Sequence, residues 1–471
     1  MASAPPGPIR VPDLNHAEQN ELDALITMWR QKRPRNNLRS AMYDMKNSTH
    51  SLMGDQVPAT IKRRSFVLGW SAIAVDKLNR RCNLEGFYDA GGLDLSAMGA
   101  DDIILKNRLT SEVSQSGVSS LLHAVSFLVT TQGDEQSGEP PVLMLGKDAT
   151  SAAGVWDVRT RSMQSFLSIS SFDDKGEPDE MTMYLHNLNV MMAKASGKWV
   201  VTRRSHKFGV PVDPMRYQPR LGRPMGRSRI TRAVMSLHMQ ALAAMIRADV
   251  NGEAYSLPRF VLLGATEEAF KNADGSPKPA WQAAWDAVWA VGDDFDAPQG
   301  LERADVKQFN GQSPEPQNAH LRMLAQMFSG ETGIPVGELG LIGDANPTSA
   351  EALMASRDDI ISEAEQTTDG WSPDVSSAMT RGLHMLNGDL PDELDVRSQW
   401  RSPLHISRAA AADAGSKTID KIPWLAESEV GLELLGLTPD QITRALADKR
   451  RAQGVQLANA LAQVTRDDVA G

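Results

Sequence analysis

The 471-residue sequence has little cysteine, few aromatic side chains and no long apolar run. Its one cysteine, Cys82, cannot form a disulfide within the chain, so we expect a reducing compartment. The longest apolar run, residues 121–129, is interrupted by His123 and Ser126 and is too short to cross a bilayer. The first fifteen residues lack the basic and apolar stretches of a signal peptide. These absences argue against secreted, disulfide-rich and membrane-spanning proteins.

Familiar catalytic motifs are also missing. The sequence around "GKD" has Pro141 where a phosphate-binding loop needs glycine and Asp148 where it needs a hydroxyl. Three neighbouring carboxylates, Asp293, Asp294 and Asp296, have the chemistry to hold a hard cation, but flanking glycine and proline favour a surface turn. We therefore predict no catalytic site, no cofactor and no resident metal.

Charge is unevenly distributed along the chain. The net charge of −10 argues against a protein that coats DNA by neutralising phosphates. Residues 201–232, in contrast, carry nine Arg and Lys side chains and one acidic residue, Asp213. A solvated face or an interface with an acidic neighbour is the common explanation of such a run, and phosphate contact is the alternative.

The N-terminal third is predicted to be mostly helical. Asn15 and Glu18 have the spacing of a capping box, which predicts a helix to about Lys32. Pro34 should interrupt it, and a second helix should begin at Arg35. A helix within 66–81, a strand at "LEGFYDAGG" and two helices within 101–130 follow. From residue 141 onward, short alternating runs predict a small antiparallel sheet inside a mainly helical α+β chain.

The helix predicted over 228–250 has two apolar faces, so it must be covered on two sides. It is either a core helix of one subunit or a helix wedged between neighbouring copies. The candidate intersubunit residues are Ile230, Val234, Met235, Met239, Leu242 and Ile246.

Residues 257–313 are predicted to form a separate module with two strands, "RFVLLG" and "DVKQFN". Its core is predicted to contain Trp281, Trp285 and Trp289, because residues four apart lie on one helix face. A helix capped by Ser313 should follow and end near Gly330.

A Gly- and Pro-rich stretch, "GIPVGELGLIGDANPTSAEAL" at 333–353, then separates two predicted helices. The second of these should be capped by Asn346, kink or break near Gly370 and Pro373, and end at Gly388. A returning strand is predicted at 394–402 and helices over 405–465.

The stretches "AVDKLNRRCNLEGF", "HKFGVPVDPMRYQPR", "GRSRITRAV" and "SGETGIPVGELGLIGDANPTSAEALMASRDDII" together resemble the portal proteins of tailed bacteriophages. The resemblance extends over about residues 20–400 and rests mainly on the order of these short stretches. It implies a portal-type fold, one subunit of a ring. The implied parts are a wing (1–227), a first stem helix (228–250), a clip (251–313), a second stem helix (314–336), a tunnel loop (337–348), a long kinked wing helix with a return strand (349–404) and a crown (405–471).

The same resemblance implies a ring of about twelve copies at the capsid vertex of the virion. Such a ring would be assembled in the host cytoplasm and would conduct double-stranded DNA during packaging and ejection. The implied partners are the terminase motor, head-tail adaptors, the major capsid protein and scaffold. A metal-dependent nuclease and another head-to-tail adaptor ring remain as alternatives.

In this family, the implied tunnel loop would touch moving DNA, so its conformation would differ among copies. Glycines permit such variation at small steric cost, and an apolar tip would slide rather than bind. An ordinary loop between helices, with Leu341 and Ile342 buried, is the alternative. The candidate loop residues are Gly337, Gly340, Leu341, Ile342, Gly343, Asp344 and Asn346.

Overall fold

A computed structural model describes residues 7–49, 52–53, 57, 59–255, 259–263, 276, 305–309, 313–340, 355–404 and 408–470. Within these residues the protein is α+β with helix predominant, as predicted. The chain forms two compact units. The first comprises Met1–Arg80, Gln115–Val129 and Gly146–Glu363, and the second comprises Arg81–Ser114, Thr130–Leu145 and Ala364–Gly471.

The helices are, in chain order, α1 (His16–Tyr43), α2 (Ala59–Lys62), α3 (Trp70–Asn79), α4 (Ala100–Lys106), α5 (Leu109–His123), α6 (Arg232–Tyr255), α7 (Glu315–Thr332), α8 (Asp358–Asn387), α9 (Arg408–Lys421), α10 (Glu429–Leu434) and α11 (Pro439–Ala470). The strands are β1 (Leu84–Asp89), β2 (Val125–Gln132), β3 (Val142–Asp148), β4 (Ala152–Asp157), β5 (Ser162–Phe172), β6 (Pro178–Leu185), β7 (Leu188–Ala195), β8 (Lys198–Ser205), β9 (Val212–Arg216), β10 (Arg259–Leu263), β11 (Asp305–Phe309) and β12 (Val396–Trp400).

The predicted antiparallel sheet is present in the first unit as strands β4 to β8, joined in chain order. Helix α1 packs its apolar stripe on one face of this sheet, against residues such as Leu167 and Met183. Trp29 at the centre of that stripe donates its indole N–H to the Thr150 carbonyl at 2.7 Å. The opposite face supports a second core, in which Phe127 and Phe166 lie with ring centroids 4.7 Å apart.

The start of α1 is as predicted. Asn15 accepts a hydrogen bond from the Glu18 amide at 2.9 Å, and the Glu18 carboxylate accepts one from the Asn15 amide at 3.0 Å. Arg203, from the basic run, completes the cap by donating to the Glu18 carboxylate at 2.7 Å. This hydrogen bond is the main reason that the pKa of Glu18 lies below its usual value.

The predicted interruption of α1 at Pro34 is wrong. The helix is continuous from His16 to Tyr43. A proline inside a helix costs about 3 kcal/mol, so contacts on both sides must offset it. Trp29 packs on the sheet before Pro34, and the Asn36 side chain donates to the buried Ala149 carbonyl at 3.0 Å after it.

The second predicted helix within 101–130 ends earlier than expected. Helix α5 stops at His123, and 125–132 form β2, which pairs antiparallel with β9. The sequence of β2, "VSFLVTTQ", is rich in β-branched residues and fits a fully buried strand. In an apolar run of only eight residues, periodicity alone does not distinguish a buried strand from a buried helical segment.

In the second unit, α8 packs beside the β1–β12 antiparallel pair. The Ser398 amide donates to the Ser376 hydroxyl at 2.9 Å, and the Trp400 indole donates to the Ser372 hydroxyl at 2.8 Å. Of the kink or break predicted at Pro373, the break is wrong, because α8 is continuous through this residue. Ser372 also bonds back to the Thr368 carbonyl at 2.8 Å, which ties the turn that proline leaves short of a donor.

Other predicted elements are confirmed in the described residues. Strands β10 and β11 pair antiparallel, α8 ends at Gly388 in the left-handed region, and β12 is the returning strand. Cys82 is buried, and its sulfur lies 3.9 Å from the Ala364 carbonyl oxygen. Among the helices that the structure describes, none combines the length and apolar character needed to cross a membrane.

Burial of His238 on α6 predicts a pH-dependent stability. Its only hydrogen bond in the described chain joins Nδ1 to the Ser71 hydroxyl at 3.0 Å, and burial lowers its pKa to about 4. In the unfolded chain His238 is protonated as the pH falls below about 6.5, whereas in the folded chain it stays neutral until about pH 4. The contribution of neutral His238 to the free energy of unfolding is therefore complete above pH 6.5. It falls by about 3 kcal/mol as the pH falls toward 4.

Chemical denaturation of His238→Gln and the parent at pH 8 and pH 4 measures this term. The variant should lose about 3 kcal/mol less than the parent over that interval. The exposed His16→Gln substitution is the control and should leave the pH dependence unchanged. Equal losses in the parent and His238→Gln would contradict the prediction.

Candidate assembly interface and loop base

Helices α6 and α7 pack against each other and bury one stripe each. On α7 the stripe contains Leu324, Ala325 and Phe328, all at most 1% exposed. The Phe328 ring also meets the Trp70 ring of α3 at 5.1 Å. The two helices therefore share an apolar core within one chain.

The six residues predicted to lie between subunits, five on α6 and Ile230 just before it, divide into two groups. Ile230, Val234, Leu242 and Ile246 are at most 1% exposed within the single chain, so they have no surface for a neighbour to contact. Their assignment to an intersubunit face is corrected: they belong to the subunit interior. Met235 and Met239 are half-buried and retain accessible surface.

An apolar face that the sequence analysis missed lies on α7. Met323 and Met327 are 48% and 54% exposed. They are four residues apart and therefore lie on one side of the helix, away from the buried Leu324 and Phe328. The signal was present as "MLAQM", but a methionine stripe is equally typical of a core. Only the burial of the adjacent residues shows which side faces outward.

The entry to α6 is fixed by Arg229, which is 4% exposed. The helix begins at Arg232, four residues later than predicted, and the preceding residues form this anchor. Its guanidinium donates to the Ala74 carbonyl of α3 at 2.5 Å and to the Thr332 carbonyl at the end of α7 at 2.6 Å. It also forms an ion pair with Glu363 of α8.

Tyr217 completes this buried network, hereafter the Arg229 network. Its hydroxyl donates to the Glu363 carboxylate and accepts from Arg229 at 3.2 Å. Burial, and then the adjacent Glu363 charge, raises the pKa of Tyr217 well above its usual value, so the phenol keeps its proton. Arg229 thus holds the starts of α6 and α8, the end of α7 and the middle of α3 at one point.

The chain after α7 turns sharply beside α8. Gly333 has φ of +64°, and a Cβ there would lie 3.2 Å from the Asp359 Cβ, so this position favours glycine on both counts. Ile334 next to it is fully buried. The residues Val336–Leu339 then form a 3₁₀ turn that ends at Gly340 with φ of +83°.

Glu338, near the start of the predicted tunnel loop (337–348), forms ion pairs with residues on either side of that loop in the sequence. Its carboxylate lies 2.9 Å from the Lys77 ammonium of α3 and 3.0 Å from the Arg357 guanidinium, which directly precedes α8. Its side chain is only 16% exposed, so these ion pairs are partly shielded from water. The chain therefore leaves this point after Gly340 and returns to it at Arg357.

The structure places two of the seven predicted loop residues. Gly337 lies inside the 3₁₀ turn and Gly340 is its cap, so both form an ordered base. The other five, Leu341, Ile342, Gly343, Asp344 and Asn346, lie outside the described residues. The predicted core tryptophans Trp281, Trp285 and Trp289 and the acidic residues Asp293, Asp294 and Asp296 also lie outside them. Within the described residues, no three His, Cys, Asp or Glu side chains are grouped to hold a metal ion.

Loss of the Arg229 charge should strongly destabilise the fold. In Arg229→Met the carboxylate of Glu363 loses its buried partner, and we expect about 3–5 kcal/mol of destabilisation. Denaturant unfolding measures it. The exposed Arg232→Met, three residues away, removes the same charge and should change stability by less than about 0.5 kcal/mol. Equal stabilities of the two variants would refute the role of the network.

The sequence is similar to known proteins over most of its length. The family described as "Phage portal protein, SPP1 Gp6-like" matches residues 22–454. The portal protein of Mycobacterium phage D29 is 25% identical over 395 residues, covering 81% of this chain and 78% of the relative. That of Mycobacterium phage L5 is 24% identical over 391 residues, covering 80% and 77%.

Solved structures similar to the chain come from particle necks. A chain in the "Neck of native GTA particle computed with C12 symmetry" aligns with a TM-score of 0.40 at 15% identity, covering 82% of this chain and 95% of that one. A chain of the "Virion of native gene transfer agent (GTA) particle" aligns with a TM-score of 0.37 at 14% identity, covering 83% and 94%. Because the family match spans residues 22–454, nearly the whole sequence, the chain belongs to the phage portal protein family.

Proposed function

We propose that this protein is the portal subunit of a bacteriophage virion. About twelve copies would form a ring at one capsid vertex, through which double-stranded DNA passes during packaging and ejection. The ring would dock the terminase motor and, later, the head-tail adaptors, and it would contact the major capsid protein and scaffold. The observation that carries the proposal is the family match over residues 22–454.

In this proposal α6 and α7 are the two stem helices. A closed ring needs two different surfaces on each subunit, one for each neighbour. The exposed methionines of α7, Met323 and Met327, supply one apolar surface. The accessible side of α6 carries smaller side chains, including Ala233 and Ser236, against which long flexible methionines can pack closely. We infer that these surfaces of adjacent copies meet.

The proposed tunnel loop, residues 337–348, starts from the base that Glu338 and Arg357 hold. A passing duplex must be confined without being gripped, because each cation that neutralises a phosphate adds salt-dependent affinity and a ring repeats it in every copy. The net charge of −10 fits a lumen that repels DNA weakly. Leu341 and Ile342 would give the loop an apolar contact with little affinity for phosphates.

Ring assembly provides a first test. Met323→Glu and Met327→Glu together should fold normally, since both side chains already contact water, but should prevent ring formation because an unpaired charge in an apolar interface is costly. Native mass measurement should give subunit mass for the variant and about twelve times that mass for the parent. The paired Met→Leu substitutions are the control and should assemble.

The interior residues of α6 are unsuitable for this test. Leu242→Glu places a charge inside the subunit, so loss of assembly would only report unfolding. A full-size ring formed by the double glutamate variant of α7 would exclude this face from the interface. A parent that remains monomeric at every concentration would exclude the ring itself.

DNA passage provides a second test. Replacing Leu341 and Ile342 with Ser removes the proposed sliding contact while leaving the anchored base of Glu338 and Arg357 intact. Rings should assemble as in the parent, and packaging of DNA in an assay with motor and procapsids should fall at least about tenfold, a barrier change of about 1.4 kcal/mol. Ser substitutions at the exposed Leu105 and Val158 are the control. Unimpaired packaging by the loop variant would contradict the loop's role.

A further inference from the structure

The structure divides the basic run of residues 201–232 into paired and unpaired arginines. Arg203 and Arg229 are paired with Glu18 and Glu363, and Arg227 donates to the Gln218 side chain at 2.6 Å. Arg220 and Arg223, in contrast, have no carboxylate partner among the described residues, and both are exposed.

Arg220 and Arg223 lie in a tight turn, hereafter the arginine turn (220–223). Their backbones exchange two hydrogen bonds, at 3.1 and 2.7 Å, and Leu221 between them is fully exposed. The turn stands on a rigid base: the Tyr217 amide donates to the Ala124 carbonyl at 3.0 Å. At Gly226, with φ of +74°, a Cβ would lie 2.4 Å from the Tyr217 carbonyl oxygen, so the base closes only around glycine.

Helix α1 brings two further arginines toward this turn. Arg35 and Arg39 are four residues apart and share one helix face. Ser40, next to Arg39, contacts the His123 ring at 2.9 Å, and His123 precedes the Ala124 to which the turn is attached. Burial, and then the positive charges of Arg35 and Arg223, lowers the pKa of Arg39 to about 10.

This gathering of charge has no compensating anion in the described chain. The Nε atom of Arg39 is buried and has no hydrogen-bond partner there. Like charges four residues apart on a helix destabilise it, and a third like charge nearby adds to the repulsion. The chain carries 59 acidic residues, yet none of those described reaches this cluster with a salt bridge. A site built this way is completed by an anion from outside.

We infer that Arg35, Arg39 and Arg223 form a binding site for backbone phosphates of double-stranded DNA, separate from the tunnel loop. Guanidinium groups match phosphate with two parallel hydrogen bonds and have no acceptor atoms that would repel it. One helical turn separates Arg35 from Arg39, about 5.4 Å, so together they can contact neighbouring phosphates of a strand. DNA is preferred to an acidic protein because the proposed portal function brings DNA to this chain, and the inference rests on that function.

The experiment measures the affinity of the full-length protein for a fluorescent 30-base-pair duplex (about three helical turns) across a salt series. Removing three phosphate contacts in Arg35→Gln, Arg39→Gln and Arg223→Gln together should flatten the slope of log affinity against log salt by about 3 and weaken binding at low salt at least about tenfold. The matched control removes three charges at hairpin ends of the five-stranded sheet: Arg161→Gln, Lys175→Gln and Lys198→Gln. It should leave the slope nearly unchanged.

Arg39 is half-buried, so a second variant guards against misfolding. The exposed pair Arg35→Gln and Arg223→Gln should flatten the slope by about 2 while thermal unfolding stays as in the parent. Parent-like slopes in both arginine variants would overturn the inference. If these substitutions weaken the binding of polyglutamate but not of duplex DNA, the site belongs to an acidic protein, and that result would also overturn the inference. In either case, parent-like ring assembly and packaging would leave the proposed function standing.

Discussion

The Arg229 network is the constraint on which the first unit depends. One buried guanidinium satisfies carbonyls of α3 and α7 and the carboxylate of Glu363 at the start of α8. A buried charge is tolerated only when it is paired and its remaining donors are occupied, and here Tyr217 supplies the last contact. Because these four partners must converge for the charge to be buried, the network permits one relative placement of the helices and disfavours others.

The sequence predicted most local structure correctly, since its signals are local. The Asn15 and Glu18 cap, the alternating strands between 152 and 205 and the glycine end of α8 were predictable from neighbours within a few positions. The helix is not interrupted at Pro34 or at Pro373, because packing on both sides of each proline outweighs the lost hydrogen bond. Helix propensity alone cannot include contacts with a sheet that is distant in sequence.

The candidate interface was less predictable for the same reason. Two apolar faces on α6 correctly indicated a helix covered on two sides, but sequence spacing does not tell whether the cover comes from the same chain. Leu242 and Ile246 are covered by their own subunit, whereas Met323 and Met327 on α7 of the same chain are left accessible. The Arg229 network was equally hidden, because its members lie in four separate segments and Arg229 stood among nine basic residues of similar appearance.

The ion pairs of Glu338 have a further consequence. Glu338 is paired with Lys77 of α3 and with Arg357, which directly precedes α8, so the stretch of chain between Glu338 and Arg357 begins and ends at one place. The entropy cost of closing such a stretch grows only slowly with its length. Residues inserted or deleted between Glu338 and Arg357 should therefore change the stability of the fold little. The length of this stretch can therefore vary while the helices on either side of it stay the same.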